Sequence, residues 1–435
     1  MTPLDIGILS LVAMVLLVYS GLHVAIALAL VSFVGVALIR DSTVLAGRLM
    51  ALATGESISS YLFGVVPLFV LMGLVVAEAD IGKDTFDVAN RAFRRIKGGL
   101  GMATVGANAV FAAVTGISIA SAAVFARVAV PEMLRVGHRP RFAVGVVAGS
   151  SVLGMLIPPS LLLILYAVLS EQSVGALFIA GILPGLALSV AFCVAIYIMA
   201  TRFKGFTGVA VAPPPDDDDG KLDILTKLLP LVALVILVLG GIYGGWFTPT
   251  EAGAIGALGA IIIGAAKRRL GWRSLWKVTI ETGHITAAIC FLIIAATMYS
   301  RMLSMSGLPE VLATWITTAE FGVYGMIALY VLVIIAMGTI LDSSSIMLIV
   351  LPLVLPVAIE LQLDLIWFGI ITVLAVEIGL LTPPMGLSVF VIKGTLADQN
   401  ISLGDIFKGA APFALIMLLV LILVIAVPGL ALWLL

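Results

Sequence analysis

Hydrophobic positions in this chain form long continuous runs, and short polar stretches separate these runs. A helix needs about 20 mainly apolar residues to cross the hydrocarbon core of a membrane. Continuous runs differ from the alternating pattern of an outer-membrane β-barrel strand. The pattern therefore predicts an all-α polytopic membrane protein. The predicted simple spans are 4–19, 22–39, 61–77, 174–200, 228–243, 252–266, 275–302 and 412–427, with a polar loop at 40–60.

The composition agrees with this class, since 62% of the 435 residues are hydrophobic and 11% are charged. A net charge of −1 offers no basic surface for nucleic acid. Cys193 and Cys290 lie in apolar segments, and we interpret both as small buried hydrophobes. The three histidines are scattered along the sequence, so no metal cluster is predicted. No basic stretch precedes the first apolar run, and no cleavable signal peptide is predicted.

Two apolar segments, 142–169 and 363–393, each contain a pair of prolines, Pro158-Pro159 and Pro383-Pro384. Consecutive prolines remove two amide donors and clash with the preceding turn, so each helix must break there. Freed backbone groups are tolerated at membrane depth only where protein or a watery cavity surrounds them. Two broken helices at matching places are typical of the binding site of a secondary transporter.

Two further apolar segments, 101–134 and 321–361, carry a polar knot at 115–121 and at 338–345. We expect each flank of the first knot to hold only about a dozen residues, too few to span about 30 Å of hydrocarbon. The pattern therefore predicts a re-entrant helical hairpin at each place. A single helix with a packing face of small residues is the alternative for the first segment.

An amphipathic segment precedes each hairpin, at 80–98 and at 307–318, and is predicted to lie at the membrane surface. A solvated connecting helix is the alternative for the first of them. Near-constant offsets between matching features indicate an internal duplication. The offsets are 222 residues from Gly116 to Gly338, 225 from Pro158 to Pro383, and 227 from Asp80 to Gly307.

The segment 202–226 contains three consecutive prolines and four consecutive aspartates, so it cannot cross lipid and is predicted to be a cytoplasmic linker. An acidic calcium loop is the alternative, although the run lacks the spacing and glycine of such loops. The predicted repeats are 1–201 and 227–435. The positive-inside rule places most lysines and arginines in the cytoplasm. In that orientation the first hairpin enters the membrane from the cytoplasm and the second from the opposite side, as inverted repeats require.

The two hairpin tips and the two helix breaks are expected to converge, because each offers unpaired carbonyls beside short hydroxyl side chains. Sodium is a hard cation that favours such ligands, and the amino ends of half-helices attract an anionic substrate. Asp342 adds a charge at the second tip, or it caps the helix that starts at Ser343. Glu377, one turn before the second break, is either functional or a packed, backbone-paired carboxyl. The hydroxyls that either bind a cation or bond back to their own helices are those of Thr115, Ser118, Ser121, Ser343 and Ser344.

Four motifs together carry a family resemblance. They are Thr115-Gly116-Ile117-Ser118, Gly154-Met155-Leu156-Ile157-Pro158-Pro159-Ser160, Gly338-Thr339-Ile340-Leu341-Asp342-Ser343, and Glu377-Ile378-Gly379-Leu380-Leu381-Thr382-Pro383-Pro384-Met385-Gly386. They resemble motifs of the large membrane (M) subunit of tripartite ATP-independent periplasmic (TRAP) transporters, over nearly the whole chain. Ile117 departs from the family pattern, in which a serine or another small polar residue is common.

This resemblance implies a sodium-driven importer of the ion transporter superfamily, not an enzyme, in the bacterial inner (cytoplasmic) membrane. It implies an elevator mechanism, sodium as the coupling ion with no other cofactor, and an organic acid such as a C4-dicarboxylate or sialic acid as substrate. It also implies two partners, a separate small four-helix membrane (Q) subunit and a periplasmic substrate-binding (P) protein. The implied sodium site residues are Thr115, Gly116, Ser118, Gly154, Pro158, Gly338, Asp342, Ser343, Gly379 and Thr382. The implied substrate site residues are Ser118, Ser121, Ser160, Ser343, Ser344, Thr382, Met385 and Gly386.

Two other functions remain open at this point. The first is a stand-alone ion-coupled carboxylate carrier or antiporter of the same architecture, which needs no binding protein. The second is an intramembrane enzyme with Asp342 and Glu377 as acid–base carboxylates, although the sequence offers no accompanying nucleophile or metal-ligand pairing. Since no basic residue falls in a tip or a break, a substrate anion has to be captured by amides, hydroxyls and bound sodium.

Overall fold

The computed structural model describes residues 1–208, 221–318 and 322–435. Across these ranges the regular elements are helical, and the one extended pairing is an isolated bridge between His138 and Gly208. The expectation of an all-α polytopic protein is therefore confirmed. The acidic stretch of the predicted linker, within 209–220, and the predicted first residue of the second hairpin, Phe321, lie outside the described residues.

The first half of the chain contains three helices of 17 residues, a bent arm, a hairpin, a broken helix and a final long helix. Their bounds are α1 Pro3–Tyr19, α2 Val24–Arg40, α3 Thr43–Ser59, α4 Val65–Glu78, α5 Ile81–Phe93, α6 Gly99–Thr115, α7 Ser118–Arg135, α8 Pro140–Ser151, α9 Leu153–Leu156, α10 Leu161–Ser170, α11 Val174–Arg202 and α12 Lys204–Thr207. A short 3-10 turn, Tyr61–Gly64, lies between α3 and α4.

The second half follows the same order. Its helices are α13 Lys221–Val235, α14 Gly241–Tyr243, α15 Pro249–Ala266, α16 Trp272–Ser306, α17 Leu308–Thr318, α18 Gly322–Gly338, α19 Ser343–Glu360, α20 Leu365–Leu381, α21 Leu387–Thr395, α22 Leu403–Ala426 and α23 Gly429–Leu432. One π-helical turn, Ile236–Gly240, joins α13 to α14. Within the described ranges, seven helices are long and apolar enough to cross a membrane, or eight if the bent pair α4–α5 is one span.

The segment 40–60, which we expected to be a polar loop, is the helix α3, so that expectation was wrong. Ser42 caps this helix by accepting a hydrogen bond from the Leu45 amide. Ala46 and Ala53, two turns apart on one face, are fully buried. Two small residues are enough to pack this face of the helix against the protein, and such a narrow buried face resembles a loop in the sequence.

Both hairpins and both broken helices form where the sequence predicts them. The chain turns back between α6 and α7 and again between α18 and α19, so the single-helix alternative for the first segment is wrong. The hairpin arms hold 17 or 18 residues each, more than the dozen expected for the first hairpin. The first arms are longer because only Gly116 and Ile117 separate α6 from α7. Both proline pairs have a cis peptide bond.

The packing of the two halves is reciprocal. The helices α7 and α19 begin 225 residues apart, as do α8 and α20. The helix α2 packs against α16 while α15 packs against α4, and α8 packs against α22 while α11 packs against α20. Likewise α7 contacts α21, and α19 contacts α10. For each of these packed pairs, the equivalents of the two helices in the other half also pack together, as a twofold-related duplication requires. The boundaries at 1–201 and 227–435 stay a prediction.

The amphipathic segment 80–98 is the helix α5, which departs from α4 at an angle of 64°. Asp84 on this helix is only 2% exposed. Its carboxylate accepts two hydrogen bonds from the Arg269 guanidinium, at 2.9 and 3.0 Å, and one from the Lys267 ammonium. These ion pairs join the arm that precedes the first hairpin to the end of α15 in the other half.

Candidate functional site

The first hairpin tip is joined to the first helix break by the backbone. The Leu161 amide, two residues after the proline pair, donates to the Gly116 carbonyl at 3.1 Å. Gly116 ends α6 with a φ of +63°, a conformation that glycine adopts without a steric penalty. A Cβ placed on Gly154 would lie 3.1 Å from the carbonyl carbon of Ile117. The tip and the break of the first repeat therefore form one closely packed unit.

The second tip and the second break repeat this arrangement. The amides of Met385 and Gly386 donate to the Thr339 carbonyl at 3.0 and 3.3 Å. A Cβ placed on either Gly338 or Gly379 would lie 2.6 Å from the Cα of the other residue. Only glycine fits at both positions, because the opposing atom belongs to backbone and cannot rotate away. The prediction that hairpin tips meet helix breaks thus holds within each half.

A side-chain hydrogen bond links the first hairpin tip to the second half of the chain. The Ser118 hydroxyl, at the start of α7, donates to Oε1 of Glu377 at 3.4 Å. Both residues are buried, and Ser118 is fully so. The first tip therefore contacts the helix that leads into the second break, which brings these two predicted elements together.

Several predicted ligand side chains are engaged by their own helices. The Thr115 hydroxyl donates to the Phe111 carbonyl at 3.0 Å, and the Thr382 hydroxyl donates to the Ile378 carbonyl at 2.7 Å. The Ser160 hydroxyl donates to the Met155 carbonyl and caps α10 by accepting from the Leu163 amide. The Thr115 contact is the alternative that the sequence left open for this hydroxyl, and Thr382 and Ser160 make contacts of the same kind.

Asp342 occupies the N-cap position of α19. Its carboxylate accepts from the amides of Ser344 and Ser345, at 3.1 and 3.2 Å, and from the Ser345 hydroxyl. This is the capping role weighed in the sequence. Ser343 and Ser121 are buried, and the Ser121 hydroxyl has no hydrogen-bond partner in the described structure.

Exposure differs between the two breaks. Pro158 and Ser160 in the first break are buried, whereas Pro383 and Pro384 in the second are exposed, and Met385 is 53% exposed. The second break and its tip therefore form the accessible side of this region.

Sequence reasoning missed a polar cavity between α3, α10, α16 and α19. It has a volume of about 320 Å³, and Arg301 of α16, which is paired with Glu56 of α3, lies on its wall. Arg301 was visible in the sequence as a basic residue in an apolar run. Its partner is 245 residues away, however, and no local pattern indicates such a pair.

Hairpins seated on broken helices within a multi-pass helical protein define this chain as a membrane transport protein. Residues 11–430 match the family described as "Tripartite ATP-independent periplasmic transporter, DctM component", and the chain belongs to this family. The resemblance drawn from the four motifs is therefore confirmed. The family is that of a transporter permease and, by its description, one component of a tripartite system.

Known proteins resemble the chain over most of its length. The C4-dicarboxylate TRAP transporter large permease protein of Pseudomonas aeruginosa is 36% identical over 386 residues, which cover 88% of each chain. The sialic acid TRAP transporter large permease protein of Vibrio cholerae is 30% identical over 364 residues, or 83% of each chain. The crystal structure of the YdaH transporter of Alcanivorax borkumensis superposes with a TM-score of 0.59 over 89% of each chain, at 14% identity, and so supports the fold.

Proposed function

We propose that this chain is the large membrane subunit of a sodium-coupled importer of an organic acid in the bacterial inner membrane. A periplasmic substrate-binding (P) protein delivers the acid, and a small four-helix membrane (Q) subunit completes the membrane part. C4-dicarboxylates and sialic acid are the first substrates to test, since relatives with those printed substrates are 36% and 30% identical to this chain.

One observation carries this proposal: each hairpin tip is hydrogen-bonded through its backbone to the helix break of its own half. These bonds bring the carbonyls and hydroxyls of a tip close to those of its break, and sodium favours oxygen ligands of this kind. Two such pairs offer two cation sites, with the substrate held between them. The proposed sodium ligands are those of the tips and breaks, namely Thr115, Gly116, Ser118, Gly154, Pro158, Gly338, Asp342, Ser343, Gly379 and Thr382.

The substrate is proposed to lie on the accessible side, against the second tip and break. The exposure of Met385 supports this placement, as do the amides that begin α21 just after the second break, since the positive amino end of a helix attracts carboxylates. The proposed contacts on this side are Ser343, Ser344, Thr382, Met385 and Gly386. The other proposed contacts, Ser118, Ser121 and Ser160, belong to the first tip and break and are buried. Bound sodium supplies the positive charge that the side chains of this region lack.

An elevator mechanism is the proposed motion. Each tip and break form one closely packed unit, so the hairpins and broken helices are expected to move together as a rigid body. The bent arm α4–α5 and its counterpart α16–α17 lead into the two hairpins and are the proposed connections between this body and the scaffold. The arm α5 is anchored to the scaffold loop after α15 through Asp84.

The test is uptake by proteoliposomes that contain this chain and its small subunit, with binding protein outside and an inward sodium gradient. We expect Asp342→Ala to abolish sodium-dependent uptake while the protein stays folded. Asp364→Ala is the matched control, since Asp364 caps α20 by accepting from the amides of Ile366 and Trp367, both at 2.9 Å, at an exposed position. Each variant loses one helix cap, worth about 1 kcal/mol, and Asp342→Ala also loses the bond from the Ser345 hydroxyl.

Wild-type uptake by the Asp342→Ala variant would remove this site from the mechanism. Uptake that continues at the same rate without binding protein would instead support the stand-alone carrier. Uptake that ignores the sodium gradient would exclude sodium coupling.

A further inference from the structure

The proposed sodium and substrate sites do not use the polar cavity between α3, α10, α16 and α19. Its volume of about 320 Å³ lies within the range of small-molecule sites. The helices α3 and α16 form one wall and belong to the scaffold in the proposed mechanism. The helices α10 and α19 form the other wall and belong to the body of hairpins and broken helices. The cavity therefore lies between the two parts that the proposed motion displaces.

The cavity is close to the proposed substrate site along two helices. Ser160 caps α10 and Ser343 begins α19, and both are proposed substrate contacts. The cavity wall starts at Val168 on α10 and at Leu351 on α19. At 1.5 Å per residue, each of these positions is about 12 Å along its helix from the serine. A small acid in the cavity therefore lies roughly one ligand length from the proposed site.

Arg301 is the single basic residue among the described residues that line the cavity. It lies about 44 Å along α16 from Trp272, a distance that exceeds the thickness of the hydrocarbon core, about 30 Å. The loop before α16 holds Lys267, Arg268 and Arg269, and the positive-inside rule places such a loop in the cytoplasm. Arg301 and the cavity are therefore on the outer side, where a periplasmic binding protein would deliver an acid.

Arg301 has donors left for a ligand. Its Nη2 donates to Oε2 of Glu56, and this is the one hydrogen bond of the guanidinium within the described part of the chain. A guanidinium carries five N–H donors in a fork that matches the geometry of a carboxylate. The Glu56 side chain is 60% exposed, whereas that of Arg301 is 29% exposed. Glu56 can therefore turn into solvent at small cost, while the guanidinium stays in the cavity wall.

The rest of the lining suits a small organic acid. Ser300, beside Arg301 on α16, adds a hydroxyl, and residues such as Leu351 and Pro352 offer an apolar surface to a carbon skeleton. The other carboxylate of the lining, Glu171, ends α10 and is exposed. Water and dissolved salt screen its repulsion of an incoming anion.

We propose that Arg301 is an entry site for the acid, which binds there before it moves to the second tip and break. The ligand carboxylate replaces Glu56 as the partner of the guanidinium, and no covalent bond changes. This inference rests on the proposed function for the class of its ligand. It predicts opposite effects for the two members of the ion pair, because Arg301 binds the acid while Glu56 competes with it. If the pair were purely structural, losing either member would have the same effect.

Thermal melting of the purified chain in detergent measures binding without transport. Succinate or sialic acid is titrated at constant ionic strength in potassium buffer, because the proposed substrate site depends on bound sodium. We expect Arg301→Gln to raise the apparent dissociation constant about tenfold or more, since it removes a hydrogen bond between charged groups. We expect Glu56→Gln to lower that constant by up to about fivefold, since it removes an exposed competitor.

Two exposed charges outside the cavity provide matched controls. Arg48→Gln removes a positive charge from α3, and Asp41→Asn removes a negative charge just before α3. Both variants are expected to bind each acid like the wild type. The inference is overturned if Arg301→Gln binds like the wild type, if both variants of the ion pair weaken binding, or if neither acid stabilises the wild type. If Arg301→Gln does not fold, the direction of the Glu56→Gln effect decides, because that side chain is exposed.

Uptake in proteoliposomes separates this inference from the proposed function. We expect Arg301→Gln to raise KM for the acid about tenfold or more, in line with its weaker binding. Sodium-driven uptake with the wild-type KM in Arg301→Gln would refute the entry site and leave the proposed function intact. If the wild type takes up neither acid although binding depends on Arg301, the proposed function fails and the anion site stands.

Discussion

The contact between Gly338 and Gly379 gives the sharpest test of the unit formed by the second tip and break. A methyl group on Gly338 would place its carbon 2.6 Å from the Cα of Gly379. Carbon atoms in contact normally lie about 3.5–4.0 Å apart. Because both atoms are held by backbone, Gly338→Ala must push the tip away from the break by about 1 Å.

The energetic cost follows from that displacement. The hydrogen bonds from Met385 and Gly386 to the Thr339 carbonyl are 3.0 and 3.3 Å long, and a shift of about 1 Å takes both beyond hydrogen-bonding distance. Overpacking costs about 1–3 kcal/mol, and each lost hydrogen bond costs about 0.5–1.5 kcal/mol. We therefore expect a loss of about 3 kcal/mol. For a chain of this length that corresponds to roughly 3 °C in melting temperature.

The assay combines thermal melting in detergent with sodium-dependent uptake in proteoliposomes. Gly283→Ala is the matched control, since Gly283 lies in the interior of α16 and a Cβ there meets nothing within 4 Å. That control is expected to be neutral or to stabilise the protein by about 1 kcal/mol. A Gly338→Ala variant that melts and transports like the control would refute the close packing of tip and break, and with it the argument for a rigid body.

Two further predictions concern groups outside the proposed site. Asp84→Asn leaves the charges of Arg269 and Lys267 without their buried partner. We therefore expect thermal melting to show a loss of about 2–3 kcal/mol of stability. An unchanged melting temperature would contradict the anchoring of α5. Burial lowers the pKa of His138 below its ordinary value of 6.5, against a smaller opposing effect of the hydrogen bond to the Thr207 carbonyl. The unfolded chain therefore binds the proton more readily, so stability is complete above about pH 6.5 and falls as the pH drops through and below that value. Melting temperatures measured between pH 5 and pH 8 should fall with decreasing pH in the wild type and in His23→Gln, an exposed control. The fall should be smaller in His138→Gln. An equal fall in all three proteins would refute the assignment of this pH dependence to His138.

The hairpins and breaks could be predicted from sequence because their causes are local. A proline pair breaks a helix wherever it stands, and the glycines at each tip mark a tight turn in an otherwise apolar run. The offsets between the matching motifs indicated the duplication, since three features with nearly the same spacing constrain the topology more than any single motif does. The helix α3 was missed for the opposite reason, because its buried face consists of only a few small residues.

The contacts between the halves could not be predicted in this way. The pair Ser118–Glu377 joins residues 259 positions apart, and the pair Asp84–Arg269 joins residues 185 apart. The sequence shows that Glu377 lies in an apolar helix. Burying a carboxyl group there is costly, so its presence indicates a functional site. The identity of its partner depends on how complete helices pack, and no local spacing encodes that packing.

The two halves have kept the same backbone arrangement while their side chains have diverged. The first break is buried and its tip carries no acidic residue of its own, whereas the second break is exposed and its tip is capped by Asp342. A strictly symmetric pair of sites would offer the substrate two equivalent places. Here the accessible second half presents its amides, hydroxyls and Met385 to solvent, while the first half is closed over Ser118 and Glu377. The divergence therefore favours unequal roles for the two tips, with the second tip and break open to the substrate and the first tip and break closed.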